Sequence, residues 1–449
     1  MNPQLPSAAS SPTPSPDFNR RDFFKAGSVA AMMAAMGGIP ITGRAEDAKP
    51  APDGTLPVPK ADPNYKEKPV GPPVKMGLIG LGSQGRDIIT QLGRLPNAPL
   101  VAICDHYKSS VKRAAEAAPT AKTYDDYKAL LEDKAVQGVI IATPTHLHRE
   151  IALAALATGK HVYLEAPMAG SIDDARAISK AAAALPNKQI FQVGHAFRAN
   201  PQHHHVFKFF RTGACGHTAS ASAQYNKKQS WRRASPNPDR EKALNWRLFR
   251  ETSLGLAGEI GIHAIDTASW YLDALPVSIT GFGGIQQWQD GREVEDTVHA
   301  VVEYPGGVRF SYSATLASGF QGEHQIFHGS DAAILIRDNK GWMFKEVDAP
   351  LLGWEVYARK DDFLSDSGIA LVANATKILA QGKKPAEAAS DTDSPLKYSL
   401  EKFVEHVNEG TKPECGWKEG FEAAVTAVKV NEAIVKNGKV TLEKSEFAV

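Results

Sequence analysis

Glu259, His263 and Asp266 follow one another at intervals of four and three residues in "GEIGIHAIDTASW". On a helix starting near Gly258 they occupy i, i+4 and i+7 and share one face. Ile260, Ile262, Ile265 and Trp270 surround them, so a solvated salt-bridge face is a poor account and a plain core is a worse one. The pattern reads as a functional stripe. His263 is the natural proton acceptor, because the unperturbed imidazole pKa of about 6.5 lies nearest working pH. Glu259, one turn earlier, is placed to orient its ring.

A helix can present such a stripe only to something held opposite it, and the text from Val74 supplies that partner. "VKMGLIGLGSQGRDIITQLGRL" reads as a short apolar strand, a Gly-rich turn and a helix with Ile88, Ile89, Leu92 and Leu95 on one face. Gly80, Gly82 and Gly85, with Ser83 and Gln84 between them, fit G-x-G-x-x-G, a loop that lets a pyrophosphate approach backbone at a helix N-terminus. The next strand, "PLVAIC", ends in Asp105, twenty residues after Gly85. A carboxylate there accepts hydrogen bonds from ribose hydroxyls and repels a 2′-phosphate, which favours NAD. His106 and Lys108 keep NADP as the alternative.

Strands and helices then alternate through "VQGVIIATP", "HREIALAALATG", "KHVYLEAP", "SIDDARAISKAAAAL" and "KQIFQVGH". This order implies right-handed crossovers and a Rossmann doubly wound parallel sheet over 74–196. Ligands in such sheets sit beyond the carboxyl ends of strands. Asp105, Thr143, Pro144, His146, His148, Glu165 and His195 all fall there, and all but His195 are assigned to the cofactor with the glycine loop. From 197 to 449 alternating runs such as "HTASASAQYN", "SITGFGGIQQWQ" and "TVHAVVEYPGGVRFSYSATL" predict a C-terminal α/β domain on an open, mostly antiparallel sheet. Its open face is expected to pair with a second subunit. The overall class is α/β.

Composition narrows the partners. A net charge of +1 leaves no basic excess to neutralise phosphates, so nucleic acid is not an expected partner. The three cysteines, Cys104, Cys215 and Cys415, form neither a disulfide framework nor a metal pattern. Consecutive histidines at 203–205 point about 100° apart on a helix and cannot converge on one ion; they are read as a helix surface or subunit contact. No metal is expected. "NRRDFFKAGSVAAMMAAMGGIPITGRAEDA" reads as a cleavable twin-arginine export signal over 1–45, because its apolar run is too short and mild to anchor the mature chain in a membrane. Residues 46–73, dense in Pro and charge, are expected to be an extended linker or arm. The polar loop "SWRRASPNPDREK" is read as solvated, and 346–394 as an excursion without a motif.

With these stretches in place, the sequence resembles the glucose-fructose oxidoreductase and inositol dehydrogenase-like family, Gfo/Idh/MocA. The matching text is "GLIGLGSQG", "AICD", "ATPTHLHREIALAALATGKHVYLEAPMA" and "GEIGIHAIDTASW", within 74–345, plus a closing helix, "EGFEAAVTAVKVNEAIVKNG". The resemblance implies NAD(P)-dependent oxidation of a secondary alcohol of a sugar or cyclitol. It carries proton handling onto Glu259 and His263, with Asp266 behind them. The family's Glu-Lys-Pro motif matches Glu165, Ala166 and Pro167, so its lysine is missing here. Losing a positioned acid or base costs roughly a hundred- to ten-thousand-fold in rate. Tyr225 and Arg198 are candidate partners of His263, and Trp246 and Arg247 suit a polyhydroxylated ligand by stacking and donation.

Export adds a constraint, since free NAD is scarce outside the cytoplasm and the twin-arginine route carries folded proteins. A periplasmic enzyme must then keep its cofactor and cycle it in place, by oxidoreduction between two sugars. The alternative resembles the exported NAD-dependent glycosidases of the same broad family, which also lack the lysine and work by transient oxidation, elimination, hydration and re-reduction. A second alternative is a non-catalytic sugar-binding protein on the same fold.

Overall fold

The computed structural model describes residues 70–186, 188–235, 237–352, 355, 360–363, 366–373 and 393–449. The twin-arginine stretch and most of the 46–73 segment lie outside these residues.

Six short strands form the first sheet: β1 Met76–Ile79, β2 Leu100–Cys104, β3 Lys122–Tyr124, β4 Gly138–Ile141, β5 His161–Leu164 and β6 Phe191–Val193. Their order is β3-β2-β1-β4-β5-β6 and every pairing is parallel. β1 and β4 are buried at every residue, as the continuous apolar runs of a sheet covered on both faces require. Chain order reverses between β1 and β4, which opens a crevice above their carboxyl ends. Helix Ser83–Leu92 covers one face, burying Gly85, Ile88, Ile89 and Leu92. Helix Ile172–Ala183 is capped by Ser171, whose hydroxyl accepts from Asp174 N–H.

The second sheet has ten strands: β7 Thr218–Asn226, β8 Ser278–Gly284, β9 Thr297–Glu303, β10 Arg309–Thr315, β11 Glu323–Gly329, β12 Ala332–Arg337, β13 Lys340–Lys345, β14 Lys360–Phe363, β15 Asp366–Leu371 and β16 Lys439–Thr441. Their order is β14-β15-β13-β12-β11-β7-β10-β9-β8-β16. Among the described residues only β7 and β10 of this sheet pair in parallel; the other pairings are antiparallel. Alternation sends Val298, Ala300 and Val302 inward and leaves His299 and Val301 outward. The inner face packs on Ile265, Ala268 and Tyr271 of helix Ile262–Leu272 and on Val430, Ala433 and Ile434.

Two elements depart from the expected division at residue 196. Helix Pro395–Glu409 returns to the first domain, where Leu400, Phe403 and Val404 join one buried cluster with Met76, Leu78, Ile140 and Tyr163. Ser399 Oγ lies 3.0 Å from Tyr163 Oη. Helix Trp417–Lys436 packs against both Ile172–Ala183 and β8 and fastens the two domains. The histidine run also differs from expectation. His203 is 2% exposed and stacks on Phe197, with ring centroids 4.4 Å apart, so it belongs to the core and not to a surface.

Candidate functional site

The glycine loop has the geometry of a dinucleotide cradle. Gly80 takes φ +98°, and a Cβ on it would stand 2.6 Å from the Ala142 carbonyl oxygen, so only glycine fits this turn. A Cβ on Gly85 would sit 2.1 Å from the Gly80 oxygen, which is how closely helix Ser83–Leu92 approaches β1. Around Gly82 nothing lies within 4 Å of a Cβ position, leaving that side open for a ligand. Beyond β2, Asp105 accepts from Leu81 N–H at 3.0 Å and Tyr107 N–H at 2.9 Å. Each carboxylate oxygen keeps a lone pair for a ribose hydroxyl. At the end of β4 the Thr143 hydroxyl is buried without a hydrogen-bond partner, a group that a ligand in the crevice would satisfy. These residues fit NAD.

Gln84 donates to Glu165 Oε1 at 3.1 Å. Burial pushes the Glu165 carboxyl up to about 7, with the Gln84 bond opposing it. Next to it, the Ala166 methyl packs against the cluster containing Met168 and Ala169, so the position of the motif lysine carries no charge. His146 lies beside Trp246, ring centroids 6.2 Å apart, which brings the β4 loop and the second domain together. His148 departs from its expected cofactor contact. Its two ring nitrogens lie 2.9 Å from the carbonyl oxygens of Pro167 and Thr143, and burial pushes its pKa down to about 4. The neutral ring has a single N–H, so it donates to one of these two carbonyls and ties the strand-end loops together by packing against both.

The polar stripe is built differently from a regular helix. Ala257–Gly261 winds as a π-helix and the α-helix begins only at Ile262. The wider winding inserts a residue into the register and turns Glu259 away from the expected stacking on His263. The Glu259 carboxylate accepts from Thr145 Oγ1 at 2.9 Å and Leu254 N–H at 3.0 Å, joining the two domains. Burial raises its pKa, opposed first by the charge of Arg247.

His263 is half-buried, and burial, followed by His195, pushes it down to about 4. Its ring meets those of His195 at 5.7 Å and Phe197 at 5.8 Å. His195, at the end of β6, is 2% exposed, and both its ring nitrogens lack a hydrogen-bond partner. Its Nδ1 is 3.5 Å from Asp266 Oδ2. Asp266, expected behind Glu259 and His263, and Arg198, a candidate partner of His263, are bonded to each other. Arg198 Nε and Nη2 donate to the two carboxylate oxygens at 2.8 and 3.0 Å. Burial would raise Asp266, yet Arg198 and His195 leave it below the usual carboxylate range. Its role here is to anchor the stripe.

On the far side of Glu259, the Arg247 guanidinium stacks 4.4 Å over Trp246 and its Nε is buried without a partner. Burial lowers the Arg247 pKa, while Glu259 and Tyr225 oppose that shift. Tyr225, half-buried near the end of β7, accepts a 3.4 Å contact from Gln229 Nε2. It thus belongs to the Arg247 side of the site. Thr145 is the contributor that sequence does not single out, because its partner Glu259 lies 114 residues away; His195 is legible as the end of a parallel strand, but its pairing with His263 is not.

Comparison with known proteins agrees with this fold. The family model described as an oxidoreductase family with an NAD-binding Rossmann fold matches residues 74–195, and the GFO/IDH/MocA C-terminal domain model matches 204–335. A scyllo-inositol 2-dehydrogenase (NADP(+)) of Bacillus subtilis is 23% identical over 82% of this chain and 94% of its own. A glycosyl hydrolase family 109 protein of Shewanella sp. (strain ANA-3) is 34% identical over 35% of each chain. A levoglucosan dehydrogenase solved with NADH shares the fold, with TM-score 0.67 and 21% identity over 82% of this chain and 99% of its own. With two family models matched in order over more than half of its length, the chain belongs to the Gfo/Idh/MocA oxidoreductase family.

Proposed function

We propose that this NAD(P)-binding oxidoreductase acts on a secondary alcohol of a sugar or cyclitol, that it is exported by its twin-arginine segment, and that it keeps its cofactor bound while it works. The observation that carries the reading is the His263–His195–Asp266–Arg198 series at the end of β6, where Gly194 closes on Glu165. His263 sits at the half-buried end of this series, and burial, which pushes its pKa down to about 4, keeps it neutral with a ring nitrogen able to accept, at the expense of base strength. When bound, the nicotinamide supplies the hydride acceptor. His263 takes the hydroxyl proton of the alcohol. The buried Asp266 carboxylate beside His195 lowers the cost of the positive charge that results. Trp246 offers a stacking face and Arg247 a donor to the hydroxyl groups of a polyol. The outer face of the second sheet, where Phe282 is 53% and Val301 37% exposed, is the surface we assign to subunit pairing.

Glycosidase chemistry is the second reading. Ala166 in the motif and the partial match to a family 109 glycosyl hydrolase favour it. One experiment separates the two: purify the exported protein, measure co-purifying NAD, and supply sugars, cyclitols and aryl glycosides. Build-up of reduced cofactor or its discharge onto a second sugar supports the oxidoreductase. Release of an aglycone with no net reduction replaces it with the glycosidase, and binding of sugar with neither outcome leaves a non-catalytic binder.

A further inference from the structure

The stretch Ser230–Lys242, expected to be a solvated loop, belongs with Asn245 to a built element that crosses to the first domain. Asn245 is 2% exposed. Its side chain accepts from Arg233 N–H at 2.7 Å and donates to the Arg233 carbonyl at 2.9 Å and the Glu241 carbonyl at 3.1 Å. Arg232 Nη1 closes the base by donating to Glu241 Oε1 at 2.7 Å. Two guanidinium groups leave this frame. Arg233 Nη2 donates to Ser83 Oγ at 3.0 Å, and Ser83 is the first residue of the helix that follows Gly82. Arg240 lies 3.8 Å over the Tyr107 ring, and its Nη1 donates to Ser109 Oγ at 3.3 Å. Tyr107 is the residue whose N–H binds Asp105.

The two arginines therefore stand along the ADP half of the dinucleotide groove, one at the diphosphate loop and one beside the adenosine ribose site. Their neighbours in the structure do not account for them. The serine hydroxyls that the two guanidinium groups reach are neutral and supply no counter-charge. Arg233 is exposed and acts on Arg247 as a like charge, and Arg240 Nε is buried without a partner. A diphosphate laid across Gly82 would supply the missing counter-charge, because guanidinium groups bind phosphate oxygens in a paired fork.

We propose that Ser230–Asn245 is a strap of the second domain that closes over bound dinucleotide, with Arg233 on the diphosphate and Arg240 at the adenosine end, so that release requires the strap to lift. The proposal rests on the dinucleotide-binding role of the first domain and gives the retention of cofactor a physical cause. The test is stopped-flow release of NADH from the full chain, read by its fluorescence, for wild type, Arg233→Ala, Arg240→Ala and the double variant. Release accelerates roughly tenfold in each single variant and more in the double, with melting temperature unchanged. Added salt speeds release from wild type more than from the double variant. In hydrogen exchange, amides of 237–245 become protected when NADH is added. Arg211→Ala, which breaks an exposed ion pair with Asp273, leaves release unchanged. Wild-type release rates in the double variant, or no added protection in a protein that does bind NADH, overturn the strap. A wild-type protein that binds no NADH removes the dinucleotide role itself, and the strap with it.

Discussion

His195 and His263 meet ring against ring across the domain boundary, with centroids 5.7 Å apart and planes at 69°. One ends the last strand of the parallel sheet and the other lies in the first turn of helix Ile262–Leu272. Burial lowers both pKa values, that of His195 against the pull of Asp266 and that of His263 with His195 adding to the shift. A proton taken by His263 thus arrives next to a second imidazole that is itself 3.5 Å from Asp266.

This pairing fixes a pH profile. With its pKa held to about 4, His263 stays unprotonated from neutral pH down to that value, so the acid limb of kcat/KM falls near pH 4 and not near the ordinary 6.5. His195→Asn removes a neighbour that lowers His263, so the limb moves up while kcat falls by roughly tenfold or more. A pH series of reduced-cofactor formation checks this. If His195 were only packing, kcat would drop with the limb left where it was.

Gly82 and Gly85 separate binding from folding. A methyl group on Gly82 meets nothing within 4 Å, so Gly82→Val is expected to fold normally and to fill the space through which a pyrophosphate approaches. NADH affinity falls at least tenfold while the melting temperature holds. Gly85→Ala pushes a Cβ to 2.1 Å from a backbone oxygen and lowers the melting temperature by several degrees. Fluorescence titration and thermal unfolding of the two variants read the contrast.

The glycine loop, the parallel alternation and the strands of the second domain were legible because each is written in local spacing. The winding of Ala257–Gly261 was not. A regular 3.6-residue period puts Glu259 over His263, but the carboxylate is drawn to Thr145 and Leu254, and Thr145 lies 114 residues away in the chain. The same holds for His148, whose partners were backbone carbonyls invisible to a motif. Helix Pro395–Glu409 was placed with the wrong domain because an amphipathic period gives a buried face without naming what covers it. Long-range contact decided each of these positions.

Arg198 and Asp266 form a buried pair, with side chains 12% and 3% exposed. Asp266→Asn leaves the guanidinium enclosed without its charge partner, at a cost of about 3–5 kcal/mol. The exposed Arg211–Asp273 pair, at 44% and 75%, is the control and contributes less than about 1 kcal/mol. Urea unfolding of Asp266→Asn and Arg211→Ala measures the difference. Equal losses would mean that Asp266 does not anchor the stripe.

Acid stability follows from the enclosed histidines. Burial pushes His203 down to about 3 and His148, His205 and His263 to about 4. Their folded pKa values lie below the unfolded value near 6.5, so the unfolded chain binds more protons between these limits. Stability is complete above pH 6.5 and is lost as pH falls towards 4. His203→Phe tests one contribution in isolation. The ring already stacks on Phe197 at 4.4 Å and its Nδ1 is buried without a partner, so phenylalanine keeps the packing and removes both the orphaned atom and the titration. At pH 8 the variant matches or exceeds wild type, and at pH 5 its advantage grows to about 1 kcal/mol or more. Melting curves at the two pH values measure that divergence, and parallel curves would show that His203 already carries its proton in the folded state.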